Sequence, residues 1–545
     1  MGAIRRSTPL LALALGATTL GAMTLGAMAL GALVLATHQD AKAQDDQALL
    51  NARCAACHEE RADGTLSRVY DARKTPEAWD MTIVRMMNVH GVKLTADERR
   101  QLVKHLADER GLAPSESVGY RYVLEKTPGV FDSGPDDTLT QMCGRCHTYA
   151  RVALQRRDEA EWLKLVHFHL GQFPTTEYQA LGRDRDWWGI ASTEVVKQLS
   201  EHYAFNSAAW EAWQARGSVD LSGAWRVVGH QPGKGAYDGS LTVATQGDDR
   251  FSVKTKLNFA DGSSLAREGS AVLYNGHEWR ASTKGAEGRA RQVLAVAEDG
   301  GSMTGRWFDP DNDVIGGTIK AVRQDGAPRV LAVVPAHVKQ GETTQVIISG
   351  VGLSGPIDLG PGLTATAVES GANRITAEIT AAADAALGPH AIRVGDASQA
   401  EAIVVYDKVA RVAIEPEQTI ARVGDNGGPI APMPAQFEAV GYMAGADGEA
   451  GTEDDVRIGV MPASWSVEDF DELAAALEDA KFAGAIDQGG LFSPAGAGPN
   501  PARKMSTNNA GNLAVVGKVM DGDAEVEGRA QLFVTVQRFV DPPIR

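Results

Sequence analysis

Two short stretches, CAACH at residues 54–58 and CGRCH at residues 143–147, are the most informative parts of this sequence. Both have the form C-x-x-C-H, the pattern by which c-type haem is attached to a chain. Two thiols on one helical turn can add to the two vinyl groups of one haem, and the histidine that follows can bind the iron. The chain has four cysteines, and the two motifs use all of them. The sequence therefore predicts two covalently bound haem c groups.

The alternatives for four cysteines are two disulfides or a four-thiolate zinc site. Neither explains the histidine that directly follows each pair. Since every thiol is used, none remains for a nucleophile or for a thioether-linked amino-acid cofactor, and no catalytic residue is predicted in this chain. The predicted haem-binding residues are Cys54, Cys57 and His58 for the first haem and Cys143, Cys146 and His147 for the second.

An internal repeat predicts the sixth ligands of the two irons. Each copy has an attachment helix, a ligand helix with a capped start, and a closing helix. Aligning Trp79 of the first ligand helix with Trp162 of the second places Met86 opposite His169. We therefore predict Met86 as the sixth ligand of the first iron and His169 as that of the second.

Other residues near these positions remain alternatives. His90 and Met87 are alternatives to Met86, and His167 is the alternative to His169. Residues two apart on a helix point in quite different directions, so His167 and His169 cannot both bind the same iron. Mixed ligation would make the haems unequal, because a thioether ligand raises the potential relative to a second imidazole.

The N-terminal residues 1–43 have the features of a cleaved export signal. Arg5 and Arg6 precede an uncharged run over residues 10–36, and Ala41 and Ala43 supply small residues at a cleavage site. A membrane anchor is the alternative, because the run is long enough to cross a bilayer. We expect cleavage, a periplasmic mature protein and no membrane association afterwards.

Composition sets the remaining limits. Charged residues make up 23% of the 545 and hydrophobic residues 43%, which is ordinary for folded domains. The formal net charge of −17 argues against non-specific binding to nucleic acid or to anionic lipid. An acidic turn between Asp447 and Asp455 could hold calcium, although its spacing does not match an EF-hand loop.

After residue 213 the helical patterns give way to short alternating runs separated by Gly- and Asp-containing turns. The expected fold is an N-terminal all-α dihaem cytochrome c domain followed by three all-β domains: a barrel-like domain, an immunoglobulin-like sandwich and a further β-sandwich. The predicted segments are 1–43 (signal), 44–213 (haem domain), 214–326 (barrel), 327–408 (immunoglobulin-like) and 409–545 (last β domain).

An exported chain with a two-haem domain followed by three β domains resembles the alpha subunit of quinohaemoprotein amine dehydrogenase. Besides the two C-x-x-C-H motifs, the segment 163–181 (LKLVHFHLGQFPTTEYQAL) carries the resemblance. It implies a heterotrimer with a seven-bladed β-propeller subunit and a small subunit that carries cysteine tryptophylquinone. It further implies that primary amines are oxidised at that quinone. Electrons would then leave through the two haems to a soluble periplasmic acceptor such as a blue-copper protein or a cytochrome c.

Two other functions remain open from the sequence. A stand-alone dihaem peroxidase would need one iron with an open or displaceable sixth site. A dihaem redox carrier without enzymatic activity would use its β domains to bind a surface ligand. The family resemblance does not decide the sixth ligands, since Met86 and His169 rest on the internal repeat alone.

Overall fold

The computed structural model describes residues 44–172, 176, 184–217, 219–425, 430–503 and 508–536. The predicted export signal and part of the segment 163–181 lie outside the described residues. The chain forms two compact units. The first contains residues up to Leu112 together with Gln155–Asn206, and the second contains Ala113–Leu154 together with the chain from Ser207 onward.

Helices are concentrated in residues 44–214. In chain order they are α1 (44–54), α2 (Pro76–His90), α3 (Ala96–Glu109), α4 (Pro114–Ser117), a 3₁₀ helix (Val118–Val123), α5 (Asp137–Cys143), α6 (Ala150–Ala153), α7 (Glu159–Gln172), α8 (Trp187–Ile190), a π-helix (Ala191–Val195), α9 (Val196–His202) and α10 (Ala208–Gln214). Two short helices, α11 (Glu472–Ala476) and α12 (Asp479–Phe482), occur near the end of the chain.

Local sequence explains where α2 and α3 begin and end. The Thr75 side chain accepts a hydrogen bond from Ala78 N, Pro76 takes the first position of α2, and Gly91 ends the helix with φ 77°. Thr95 begins α3 with a reciprocal capping box in which Glu98 bonds back to the Thr95 amide at 2.7 Å. The capped starts predicted for these helices are thus present.

The prediction that residues 44–213 form an all-α domain is wrong. Strand β1 (Arg73–Lys74) pairs antiparallel with β2 (Gln155–Arg156), which joins the segment before α2 to the segment before α7. Several of the helices are single turns, and much of the remaining backbone is irregular. A two-residue strand has no apolar alternation that a sequence pattern could reveal, because its pairing depends on contacts distant along the chain.

The β part of the prediction agrees with the structure. Strands β3–β10 close into an antiparallel barrel in which each strand pairs with its sequence neighbours and β10 pairs with β3. Large side chains fill its interior, including Trp225 and Trp279, so the barrel encloses a packed core. The strands are β3 (Gly223–Gln231), β4 (Gly235–Gly247), β5 (Arg250–Phe259), β6 (Ser264–Tyr274), β7 (Glu278–Gly285), β8 (Gly288–Val296), β9 (Ser302–Phe308) and β10 (Gly316–Arg323).

Two four-stranded sheets follow the barrel and enclose a second core. Their orders are β11-β13-β16-β15 and β12-β18-β17-β14, and β12 pairs with β18 in parallel. The strands are β11 (Arg329–Val334), β12 (His337–Lys339), β13 (Thr343–Val351), β14 (Ile357–Asp358), β15 (Leu363–Ser370), β16 (Arg374–Ala381), β17 (Gly388–Val394) and β18 (Ala397–Tyr406).

The last part of the chain forms three smaller sheets around a third core. Their orders are β19-β22-β23, β20-β28-β27-β24 and β21-β26-β25. The strands are β19 (Arg411–Glu415), β20 (Gln418–Arg422), β21 (Ala435–Gln436), β22 (Glu438–Met443), β23 (Val456–Met461), β24 (Ser464–Asp469), β25 (Gly484–Ile486), β26 (Leu491–Pro494), β27 (Gly511–Asp521) and β28 (Ala524–Thr535).

The helical segment Ala113–Leu154 belongs to the same compact unit as the barrel, and buried charges join the two. Arg121 of the 3₁₀ helix lies 2.6 Å from Glu278 of β7. From β9, Arg306 donates to the carbonyl of Lys126 at 2.7 Å. Because buried ion pairs of this kind require close geometry, the segment that carries the second C-x-x-C-H motif has a defined position on the barrel.

Candidate haem-attachment sites

The first C-x-x-C-H motif begins at the C-terminal end of α1. The carbonyl of Cys54 accepts hydrogen bonds from Cys57 N at 3.1 Å and from His58 N at 3.0 Å. One turn of backbone therefore brings both thiols and the histidine together. Cys54 is half-buried and Cys57 is exposed, and neither is in a disulfide.

A backbone carbonyl orients the ring of His58. Its Nδ1 lies 2.9 Å from Ser67 O, and Ser67 N in turn donates to Glu59 O at 2.8 Å. A proton at Nδ1 that is donated to a carbonyl leaves the lone pair on Nε2, which is the usual arrangement for a histidine that binds a metal. The loop around Ser67 thus prepares His58 to bind iron through Nε2.

The second motif shares with the first a position at the end of a helix and a carbonyl beside the histidine Nδ1. The Asp136 side chain caps α5 by accepting from Leu139 N at 2.8 Å, and α5 ends at Cys143. His147 Nδ1 lies 3.0 Å from the carbonyl of Thr148, which again leaves Nε2 as the nitrogen with the lone pair. Both predicted proximal histidines therefore have the tautomer that suits an axial ligand.

Burial affects one thiol in each motif. It raises the pKa of Cys54, and Cys57 raises it further. Burial and the neighbouring Asp136 raise the pKa of Cys143 to about 12. All four described cysteines are free thiols, so the disulfide alternative is not realised. Within the described ranges, no group of three or more His, Cys, Asp or Glu side chains has the arrangement of a metal site.

Met86 lies in the last turn of α2, and its carbonyl accepts hydrogen bonds from Gly91 N and Val92 N. Its side chain is half-buried, as is that of Met87, whereas His90 is exposed. All three belong to the first compact unit, together with Cys54–His58. Met86 stays the predicted sixth ligand of the first iron.

His169 and His167 lie on α7 in different surroundings. His169 Nδ1 is 2.8 Å from Leu165 O, one helical turn earlier, so this ring has the same tautomer as the two proximal histidines. The ring of His167 packs edge-on against Trp188 with centroids 4.8 Å apart. The hydrogen bond favours His169 as a ligand. The structure places α7 in the first compact unit and Cys143–His147 in the second, and the assignment of His169 to the second iron stays a prediction.

Family models match most of the chain. The model for the haem-binding domain of quinohemoprotein amine dehydrogenase A, alpha subunit, matches residues 44–210. Models for domains II, III and IV of the same subunit match residues 218–324, 327–407 and 412–544. The chain belongs to the alpha-subunit family of quinohaemoprotein amine dehydrogenases. It is accordingly a haem-binding subunit of an oxidoreductase that has further subunits.

Other comparisons add little to the family assignment. No curated protein matches the sequence. Among solved structures, a de novo designed fluorescence-activating β-barrel is 19% identical, with 19% of this chain and 92% of that chain covered and a TM-score of 0.17. The structure of mouse clustered PcdhgC3 EC1-3 is 11% identical, with 44% and 76% covered and a TM-score of 0.16. Both likenesses are weak.

Two residues that support the family's haem motifs were not predicted from the sequence. Ser67 acts through its carbonyl, which no side-chain pattern can indicate. The carboxylate of Asp132 accepts from Tyr122 Oη at 2.6 Å and from Ala150 N at 2.7 Å, which holds the turn after His147. Burial alone raises the pKa of Asp132, but the hydrogen bonds from Tyr122 and from the backbone amides outweigh it and keep the pKa low.

The acidic turn uses its carboxylates internally. Asp455 accepts from Arg411 Nε at 3.0 Å and from Gly451 N at 2.9 Å, and Asp454 accepts from Thr452 Oγ1 at 2.7 Å. These hydrogen bonds tie the turn to itself and to Arg411 of β19. In the described part of the chain, no helix is both long and apolar enough to cross a membrane.

Proposed function

We propose that this chain carries electrons for a periplasmic amine dehydrogenase through two covalently bound haem c groups. The supporting observation is the pair of C-x-x-C-H turns, each with its histidine ring oriented by a carbonyl, in a chain of this family. One haem would be bound through Cys54 and Cys57, and the other through Cys143 and Cys146.

Each haem, once attached, supplies a reversible one-electron centre. The chain's own residues prepare its surroundings. His58 and His147 each hold a proton at Nδ1 and present Nε2, and the carbonyls of Ser67 and Thr148 hinder rotation of these rings. Asp132 keeps the backbone after His147 in place through the Ala150 amide.

The two irons would differ in their sixth ligand. Met86 would supply a thioether to the first iron and His169 an imidazole to the second. Since a thioether raises the haem potential relative to an imidazole, the bis-histidine haem would accept electrons first and the Met86 haem would pass them on. The helical hydrogen bond from His169 Nδ1 to Leu165 O supports this role for His169.

Amine oxidation itself would take place on another chain. All four cysteines are used by the two motifs, so no thiol remains for a cysteine tryptophylquinone. We infer a heterotrimer in which a small subunit holds that quinone beside a β-propeller subunit. A soluble acceptor, such as a blue-copper protein or a cytochrome c, would take the electrons. Cleavage of residues 1–43 would release the mature subunit into the periplasm.

Mass measurement and rapid mixing test this function together. The denatured mature chain should weigh its polypeptide mass plus two haems and should have no thiol that alkylates. The isolated chain mixed with a primary amine should show no haem reduction, whereas the assembled complex should reduce its haems before any acceptor is added. A single haem would contradict the two-site assignment. Amine-dependent reduction by the isolated chain would place the active site here instead.

A further inference from the structure

Buried hydrogen-bond donors gather where α7 begins, within the first compact unit. Lys74, Arg157 and Trp162, here called the donor cluster, are 6%, 7% and 1% exposed. The pairing of β1 with β2 sets Lys74 opposite Gln155, two residues before Arg157. The Arg157 guanidinium lies 5.9 Å from the centre of the Trp162 ring.

Two donors of the cluster have no hydrogen-bond acceptor among the described residues. They are Arg157 Nε and Trp162 Nε1, both fully buried. Trp79, the residue equivalent to Trp162 in the repeat, instead donates its Nε1 to Arg110 O at 3.0 Å. A buried donor without a partner costs about 1–3 kcal/mol, so two of them side by side indicate a missing acceptor.

The charges around the cluster also favour an anion. Two carboxylates act on the cluster: Asp158, which is close enough to influence Arg157, and Glu161, which lies 2.5 Å from Lys164, 3.7 Å from Arg68 and 3.9 Å from Arg157. Burial lowers the pKa of Lys74 well below its usual range, and the charges of Arg157 and Arg85 lower it further. Positive charge thus exceeds negative charge, and further carboxylates would relieve the imbalance.

Contacts of the cluster lead to segments that carry the predicted axial ligands of the first haem. On the proximal side, Arg68 directly follows Ser67, whose carbonyl orients His58. On the other side, Lys74 Nζ donates to Thr82 Oγ1 at 2.9 Å, and Thr82 lies one turn before Met86 on α2. The cluster is therefore connected to the segments that carry both predicted axial ligands of the first iron. The carboxylates that a haem brings to its site are its two propionates.

We propose that the donor cluster binds the propionate groups of the haem held by Cys54 and Cys57. This inference rests on the proposed function, because it requires that haem. Arg157 Nε and Trp162 Nε1 donate to propionate oxygens, and Lys74 adds a third donor. Hydrogen bonds from cationic donors to carboxylates are short and strong, which suits a site closed off from water.

The test compares three variants that each retain haem attachment. Arg157→Gln removes a positive charge beside the first haem and should lower the equilibrium constant for its reduction about tenfold, or about 59 mV for one electron. Arg157→Lys keeps the charge and should restore most of that loss. Trp162→Phe removes one neutral donor, so it should shift the propionate bands in the resonance Raman spectrum with little change in potential.

Two variants serve as matched controls. Trp79→Phe removes an N–H that already donates to Arg110 O, and Arg99→Gln removes an exposed cation that pairs with Asp80 at 3.0 Å. Neither should shift the propionate bands. Exchanging chloride for phosphate at constant ionic strength should leave the wild-type potential unchanged, and a change would mean that a free anion occupies the cluster instead.

The outcomes separate this inference from the proposed function. If Cys54 and Cys57 hold haem, but Trp162→Phe leaves the propionate bands unchanged and the Arg157 variants leave the potential unchanged, the donor cluster does not bind propionates. If mass measurement finds no haem on Cys54 and Cys57 in the wild-type chain, the proposed function fails at this site. Trp162→Phe is close in shape to the native side chain, so the test does not depend on Arg157→Gln folding.

Discussion

Arg121 donates to Glu278 across 2.6 Å, and only 9% and 4% of the two side chains are exposed. This ion pair joins the segment that bears the second C-x-x-C-H motif to strand β7 of the barrel. Arg280 also reaches Glu278 at 2.8 Å, and His277 lies beside it at 3.3 Å. Together with the bond from Arg306 to the Lys126 carbonyl, this buried carboxylate ties the segment of the second haem motif to the barrel.

Replacing Glu278 with Gln should destabilise the protein strongly. The substitution removes the carboxylate that Arg121 and Arg280 share and leaves Arg121 with Glu125 alone, and breaking such a buried pair typically costs about 3–5 kcal/mol. Denaturant titration of the wild-type and variant chains measures the difference. Glu268→Gln on β6 is the matched control, because Glu268 is exposed and lies 4.0 Å from Lys254, and it should change stability by less than about 1 kcal/mol. Equal effects of the two substitutions would contradict the role of the buried pair.

Acid should weaken the same contact. Burial alone would raise the pKa of Glu278, but its ion pairs with Arg280 and Arg121 and the neighbouring His277 hold the pKa well below its usual range. A carboxyl with a depressed pKa stabilises the fold fully above its unfolded pKa of about 4.3, and this stabilisation is lost as pH falls below that value. Denaturant midpoints measured from about pH 7 down to about pH 3 should fall more steeply for the wild type than for Glu278→Gln. Parallel curves would exclude this linkage.

Replacing Met86 with Ala should remove the sulfur-to-iron absorption of one ferric haem and lower that haem's potential. The potential of the other haem should change little, because its ligands are untouched. Redox titration followed by visible and near-infrared spectra measures both effects. Met87→Ala is the matched control, and loss of the absorption in that variant instead would identify Met87 as the ligand. If the wild type has no such absorption and His90→Ala turns one haem high-spin, the ligand is His90.

Replacing His169 with Ala should turn one haem high-spin, whereas His167→Ala should leave both haems low-spin. His169 has its Nδ1 committed to Leu165 O, while the His167 ring is packed against Trp188. Electron paramagnetic resonance of the oxidised protein distinguishes the spin states. A high-spin signal from His167→Ala alone would mean that the register inferred from the repeat is wrong.

The sequence revealed features that depend on neighbouring residues. The turn at the first C-x-x-C-H motif, the cap at Thr75 and the capping box at Thr95 all depend on short-range patterns, and the structure contains each of them. The longer strands could also be predicted, because apolar and polar residues alternate along each of them over several positions. The barrel and the later sheets therefore agree with the β part of the prediction.

Features that depend on contacts between distant residues could not be predicted from local sequence patterns. The β1–β2 pair joins residues far apart in the chain, which is why the all-α prediction is wrong. Arg121 and Glu278 are separated by 157 positions, and neither residue type signals the other. The N–H groups at Arg157 Nε and Trp162 Nε1 are informative only in the folded structure, because there both are buried and have no acceptor among the described residues.

The first compact unit is discontinuous, since Ala113–Leu154 interrupts it and belongs to the second. Two stretches that are far apart in the chain must therefore meet before the first unit is complete. The Cys54–Cys57 motif is made early in synthesis, yet its unit can close only once residues near Asn206 have emerged. Completion of the first unit is thus a late event in folding, and a chain interrupted after Leu154 would lack half of that unit's sequence segments.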